Sequence, residues 1–239
     1  MTGRLTGEKV LVAATTNGHK IAEISATLNP FGYSVISRAA AGAPEIEVIE
    51  DGATFEENSL IKARAVFDLL GGNACTLADD SGIEVDALDG APGVYSARFA
   101  GQGEPGAYAA GPDGDKADFE AAELLTEHKR RSLQDRANNI KLLRLLEGVP
   151  AERRTARFVS VITCLMPGQE PIVCRGEVCG HVGFVLAGDG GFGYDPLFIP
   201  LGYDHSFGLF TPEDKNAISH RGRALSLLAE KLICHNAAI

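Results

Sequence analysis

Residues 9–20 read KVLVAATTNGHK. The apolar run from Lys9 to Thr15 has the length and composition of a buried strand. It ends in small and polar residues, where Asn17 can cap a helix that carries Ile21, Ile24 and Leu28 at helical spacing. Asn29-Pro30 stops that helix, and Tyr33–Ser37 reads as a second strand. A strand, a polar turn, a helix and another strand make the opening unit of an α/β fold.

The rest of the chain extends this pattern. Thr54-Phe55-Glu56-Glu57 has capping-box form and predicts a helix from Phe55 to about Leu70, ended by Gly71-Gly72-Asn73. Cys75–Ala78 reads as a short strand that delivers Asp79-Asp80-Ser81-Gly82 at its C-terminal end. Residues 101–115 hold Gly, Pro and Ala with little apolar period and read as a loop. Residues 117–146 are helical in pattern, with a break near Arg136. Strands follow at Ala156–Leu165, Ile172–Val178 and His181–Leu186, with Gly168 and Gly180 at the turns. Thr211-Pro212 opens a last helix that runs to about His235. The prediction is a mixed β-sheet flanked by helices, in a single domain over residues 8–235.

Composition narrows the function. The chain has 239 residues, 45% apolar and 23% charged, which are ordinary globular values. Its net charge is −10, from 22 basic and 32 acidic residues, so broad nucleic-acid binding is disfavoured. No apolar run reaches the roughly 18 residues of a spanning helix, so no membrane partner is expected. The polar N-terminus does not read as a signal peptide, and five cysteines are an odd count. Together these predict reduced thiols and a cytoplasmic location.

Four segments carry chemistry. Thr15-Thr16-Asn17-Gly18-His19-Lys20 joins a strand end to a helix start, where backbone N–H groups and a lysine attract anions; an ordinary capped turn reads equally well. Asp79 and Asp80 are adjacent at a strand end, so they point to different sides, and one can hold a metal while the other does separate work; an Asx-turn with Gly82 is the plainer alternative. Glu50, Asp51, Glu56 and Glu57 supply further carboxylates. Gly188–Pro196 matches G-x-G-x-x-G in form, but Pro196 and an apolar run follow it, so no helix opens and a dinucleotide site is rejected. That turn presents Phe192 and Tyr194 as a surface for a flat ring. Lys215, Ser219 and Gly222 are predicted on one helical face, with His220 and Arg221 beside it, and this cationic group suits an anionic or carbonyl-bearing ligand. Cys174, Cys179 and His181 lack a second ligand pair for zinc, and there is no Walker A loop or nucleophile elbow.

Taken in order, these segments resemble the inosine triphosphate pyrophosphatase-like family, the Ham1-type house-cleaning enzymes. The matching motifs are Thr15–Lys20, Phe55–Asn58 with Lys62-Ala63-Arg64, Ala78–Gly82, Gly90–Arg98, Gly190–Pro196, and Lys215 with Ser219–Gly222. They run in the family's order from Val10 to about Leu228. The resemblance implies a long mixed sheet with two lobes and the active site in the cleft between them. It implies hydrolysis of ITP, dITP and XTP to the monophosphate and pyrophosphate, with magnesium (or manganese in its place) and a homodimer. Related readings are a pyrophosphatase with modified-base or pyrimidine preference, and a nucleotide-binding module without catalysis.

By the same resemblance Asp80 would be the general base and, with Glu50, a metal ligand, and Asp79 would support it. Thr15, Thr16, Asn17, Gly18, His19 and Lys20 would hold the triphosphate, with Lys62 as a second cation and Ser81 touching the substrate. Phe192 would stack on the purine, and Gly193, Tyr194 and Asp195 would complete the base pocket. Lys215, His220 and Arg221 would read the base, chiefly its 6-keto oxygen. The chain departs from the family at Thr16, where Gly is frequent, and in residues 101–138, which exceed the usual connection and read as an insertion.

Overall fold

The computed structural model describes residues 9–101 and 127–237. Strand β1 (Lys9–Ala13) leads into helix α1 (Gly18–Leu28), and a 3₁₀ turn carries the chain to β2 (Tyr33–Ser37). Helix α2 (Phe55–Leu69) follows, then β3 (Thr76–Val85) and a 3₁₀ segment, Gly93–Gly101. Helix α3 (Glu127–Leu145) precedes β4 (Thr155–Leu165), β5 (Ile172–Val182) and β6 (Phe198–Pro200). Helices α4 (Pro212–Ile218) and α5 (His220–Ala237) close the chain.

The six strands form one mixed sheet in the order β2-β1-β3-β4-β5-β6. β1 pairs in parallel with both β2 and β3, with Val12 opposite Ile36 on one side and Thr76 on the other. β5 and β6 are antiparallel. The described residues divide into two compact units, one of residues 9–81, 159–177 and 216–237, the other of residues 82–101, 127–158 and 178–215. In the first unit α1 packs against α5. Leu11, Ile24, Leu28, Leu77, Ile162, Leu225, Leu228 and Leu232 bury one another there. In the second, the rings of Phe158, Phe198 and Phe207 pack together, the first two tilted with centroids 4.5 Å apart.

Local signals account for the first half. Asn17 Oδ1 accepts from the amides of His19 and Lys20, at 3.0 and 3.4 Å, and starts α1. Thr54 and Glu57 form the full capping box of α2. Among the described residues, no helix is long and apolar enough to cross a membrane.

Five expectations are corrected. β3 does not end at Ala78 but continues to Val85, so the Asp79–Gly82 segment lies within a strand rather than in a turn. The expected strands Ile172–Val178 and His181–Leu186 are one strand that passes through Gly180 and stops at Val182. Phe184, Val185 and Leu186, apolar as a strand would be, are instead exposed. α3 runs without a break at Arg136; the expected helical residues 117–126, the loop at 102–115 and that part of the insertion lie outside the described residues. The last helix is two helices that part at Ser219.

Gly180 serves close approach, not a turn. A Cβ there would stand 2.2 Å from the Ile199 carbonyl oxygen of β6. Gly180→Ala should therefore push β6 away, at about 2 kcal/mol, or a fall of roughly 4–8 °C in Tm. Calorimetry that finds Tm unchanged would contradict this packing.

Candidate active site

A strand turns successive side chains to opposite faces. On β3 this separates Asp79 from Asp80, and each acquires its own partners within the first unit. Both carboxylates are largely buried, at 2% and 6% exposure. Burial of two acids one residue apart is tolerable only where each is compensated.

Asp79 is fully compensated. Its Oδ2 lies 2.5 Å from Lys20 Nζ and 3.1 Å from Arg221 Nη2, while Oδ1 accepts from Ser160 Oγ at 2.6 Å and from Arg221 Nε at 3.3 Å. Ser81 Oγ donates to Oδ2 at 3.1 Å. Burial alone would raise the Asp79 pKa, but Arg221 and Lys20 outweigh it and hold the carboxyl well below the usual range. Arg221 also binds Glu23 through Nη1 and Ser81 Oγ through Nη2, the latter at 2.9 Å. Burial and the neighbouring cations Arg221 and Lys62 lower the Lys20 pKa against the pull of Asp79. Two acids, Asp79 and Glu23, thus balance two cations, Lys20 and Arg221.

Asp80 is treated differently. Lys62 Nζ lies 2.6 Å from its Oδ1 and 3.1 Å from Glu50 Oε2. Asp80 Oδ2 is buried and has no hydrogen-bond partner among the described residues. Burial raises the Asp80 pKa despite Lys62. Burial also opposes the charge of Lys62, yet Asp80 and Glu50 raise its pKa and hold it protonated. Asp80, Glu50 and Lys62 leave one negative charge in excess, and an acceptor oxygen stands unused. That donor set fits a hard divalent cation that takes one or two carboxylates and completes its shell with water and phosphate.

The Thr15–Lys20 turn joins β1 to α1. Thr15 Oγ1 accepts from the Asn17 amide at 3.1 Å. Because the Asn17 side chain takes the amides of His19 and Lys20, the pull on an anion comes from the helix dipole and the Lys20 charge. Thr16, Gly18 and His19 are exposed.

The second unit holds the remaining group. Lys215, only 4% exposed, places Nζ 2.6 Å from Asp195 Oδ2 and 4.7 Å from the centroid of the Phe192 ring. Asp195 Oδ2 also accepts from the Phe192 amide at 2.8 Å. Tyr194 is buried, donates through its hydroxyl to the Ser96 carbonyl at 2.9 Å, and is kept protonated chiefly by burial. Gly193 exchanges hydrogen bonds with Asp135 and Asn139 of α3, both at 2.8 Å.

Lys215 therefore belongs to one group, while Arg221 belongs to the other with Asp79. The expected single helical face of Lys215, Ser219 and Gly222 is broken at Ser219. His220 is buried at the start of α5. Sequence reading missed Glu23, Ser160, Asp135 and Asn139. Ser160 carried a signal, as a polar residue inside the apolar run of β4. Glu23, Asp135 and Asn139 look like ordinary helix-surface residues and carried none.

Removal of Asp79 should leave Lys20 and Arg221 with only Glu23 to balance them, one positive charge in excess. Asp79→Ala should cost roughly 3–5 kcal/mol in denaturant unfolding at neutral pH. Because its folded pKa is depressed, the Asp79 contribution is present above about pH 5 and lost as pH falls through the folded value. Asp79→Asn should flatten acid denaturation below about pH 5, and an unchanged acid limb would show that Asp79 is not the compensated charge.

The Ham1 family model matches residues 11–132 and 125–231. The chain is 44% identical over 223 residues to the dITP/XTP pyrophosphatase of Desulforamulus reducens, covering 93% of this chain and 94% of that protein. It is 41% identical over 224 residues to the dITP/XTP pyrophosphatase of Mycobacterium bovis, with coverage of 93% and 94%. Among solved structures, a HAM1 protein from Coxiella burnetii superposes with a TM-score of 0.72 at 32% identity, over 94% of this chain and 98% of that one. A dITP/XTP pyrophosphatase from Mycobacterium abscessus superposes with a TM-score of 0.64 at 39% identity, over 92% and 98%. With the family's match spanning almost all of the sequence, and the sheet shared with its solved structures, the chain belongs to the Ham1 family.

Proposed function

We propose that this chain is a hydrolase that cleaves dITP, ITP and XTP between the α- and β-phosphates, releasing the nucleoside monophosphate and pyrophosphate. Relatives at 41–44% identity named dITP/XTP pyrophosphatase support the substrate class. The observation that carries the chemistry is the unequal treatment of two adjacent acids. Asp79 is neutralised by Lys20 and Arg221, whereas Asp80 keeps a buried, unpartnered oxygen and shares Lys62 with Glu50.

Asp80 and Glu50 would hold a divalent cation, magnesium in the first instance. When bound, that ion neutralises polyphosphate charge and favours a reactive water. Asp80 accepts the proton of the water that attacks the α-phosphorus, as the bond to the pyrophosphate oxygen breaks. Lys62, protonated between Asp80 and Glu50, orients the carboxylate. Lys20 and the N-terminus of α1 draw the phosphates.

For the base, Phe192 supplies a stacking ring, and Lys215, set against Asp195, supplies a donor for a 6-keto oxygen. A 6-amino group in the same place would leave that buried donor unpaired, which disfavours ATP. Arg221 is assigned to hold Asp79 rather than to read the base, because its Nε, Nη1 and Nη2 all engage groups of the first unit. The reading includes a cytoplasmic homodimer.

Pyrophosphate release from ITP, dITP, XTP, GTP and ATP, with magnesium and with chelator, tests this directly. Release should be fast for the deaminated purines and abolished by chelator. Orthophosphate as the product would place attack at the γ-phosphorus and overturn the mechanism. Asp80→Asn should lower kcat by about 100-fold or more with ITP, and a variant that retains full activity would remove Asp80 as the base.

A further inference from the structure

The turn that carries Phe192 is held from outside itself. Three of its backbone polar groups are taken by side chains. The Phe192 amide donates to Asp195, the Gly193 amide donates to Asp135 Oδ2, and the Gly193 carbonyl accepts from Asn139 Nδ2, each at 2.8 Å. Asp195 belongs to the turn, but Asp135 and Asn139 lie on α3, more than fifty residues away in sequence. They are four residues apart, so they share one face of that helix.

Gly193 has a left-handed φ of +62°, a conformation that needs external support if it is to persist as one state. Clamping both its amide and its carbonyl supplies that support. The amide orientation of Asn139 is itself fixed. Its Nδ2 donates to the Asp135 carbonyl at 2.9 Å as well as to Gly193, which leaves Oδ1 buried without a hydrogen-bond partner among the described residues. A chain retains an orphaned acceptor of this kind where position matters more than local stability.

The neighbouring residue extends the same hold. Asn138 Oδ1 accepts from the Ala100 amide at 2.8 Å, and its Nδ2 donates to the Ser96 carbonyl at 3.2 Å. Tyr194, next to Gly193, donates to that same Ser96 carbonyl. The Phe192 ring is itself only half-buried. Polar contacts on its backbone neighbours, together with Lys215 over the ring, therefore contribute to its position.

We propose that Asp135 and Asn139 are positioning residues that hold the Phe192 ring for a purine base; this rests on the function proposed above. Each acts through the Gly193 peptide rather than by touching the nucleotide. Loss of one such hydrogen bond should leave the turn free to visit other conformations and weaken base binding by about tenfold.

The chain contains no tryptophan, so Phe192→Trp creates a single fluorescent reporter at the ring. In that background Asp135→Ala should shift emission to the red and at least double acrylamide quenching. Asp135→Asn, which keeps an acceptor oxygen, should restore the parent signal. Asn139→Leu, close in volume and free of the orphaned oxygen, should loosen the ring in the same way without lowering Tm. Unchanged quenching in both Asp135→Ala and Asn139→Leu would overturn the proposal, whatever the enzyme's substrate.

Kinetics with ITP supply a second reading. Asp135→Ala should raise KM about tenfold with kcat within about twofold, since only binding common to ground and transition states is lost. Combined with Phe192→Ala it should add nothing further, because both changes remove one ring. Full additivity would mean that Asp135 acts elsewhere and would also overturn the proposal. A wild-type protein that does not turn over ITP defeats the proposed function, while the tryptophan signal still decides the positioning role.

Discussion

The period of two in a β-strand is the constraint on which the candidate site depends. Asp79 and Asp80 are covalent neighbours of identical chemistry, yet β3 sends them to different surroundings. One meets two cations and two hydroxyls, and its pKa falls. The other meets one lysine shared with a second carboxylate, and its pKa rises. Had the strand ended at Ala78, the two acids would sit in a mobile turn and compete for the same cations. Continuation to Val85 makes the division of roles a property of the backbone.

The cations have matching constraints. Lys20 and Arg221 stand 201 positions apart, on α1 and α5, and those helices pack against each other. Helix packing therefore brings both charges to Asp79, and Glu23 on α1 absorbs the remaining positive charge of Arg221. The group is neutral and satisfied, which is the condition under which buried ions persist. The Asp80 group is neither neutral nor satisfied. That contrast supports the proposed placement of the chemistry at Asp80, because an uncompensated buried acid is costly unless a ligand completes it.

In the second unit the logic is polar clamping of a mobile-looking turn. Glycines at 188, 190, 191 and 193 give a backbone with many accessible conformations, three of them at positive φ. Asp195 inside the turn, and Asp135 and Asn139 on α3, select one conformation from that set. Lys215 is drawn into the same place by Asp195 and lies over the aromatic ring, so ring and ammonium form one preorganised surface.

Local rules were legible in the sequence. The caps at Asn17 and Thr54, the stop at Asn29-Pro30, the first two strands and the opposed placement of Asp79 and Asp80 all follow from residue type and spacing. Those features depend on contacts within a few residues, which periodicity and capping chemistry describe. The ordered motifs also carried the family. What only the tertiary structure decided is which charges meet. Arg221, which the resemblance assigns to the base, lies against Asp79 and Glu23; Gly180, expected at a turn, is a point of close strand contact. Glu23, Asp135 and Asn139 resembled solvated helix residues until packing gave them partners. The physical reason is that an ion pair or a clamp depends on distance in space, and a sequence encodes distance along the chain only.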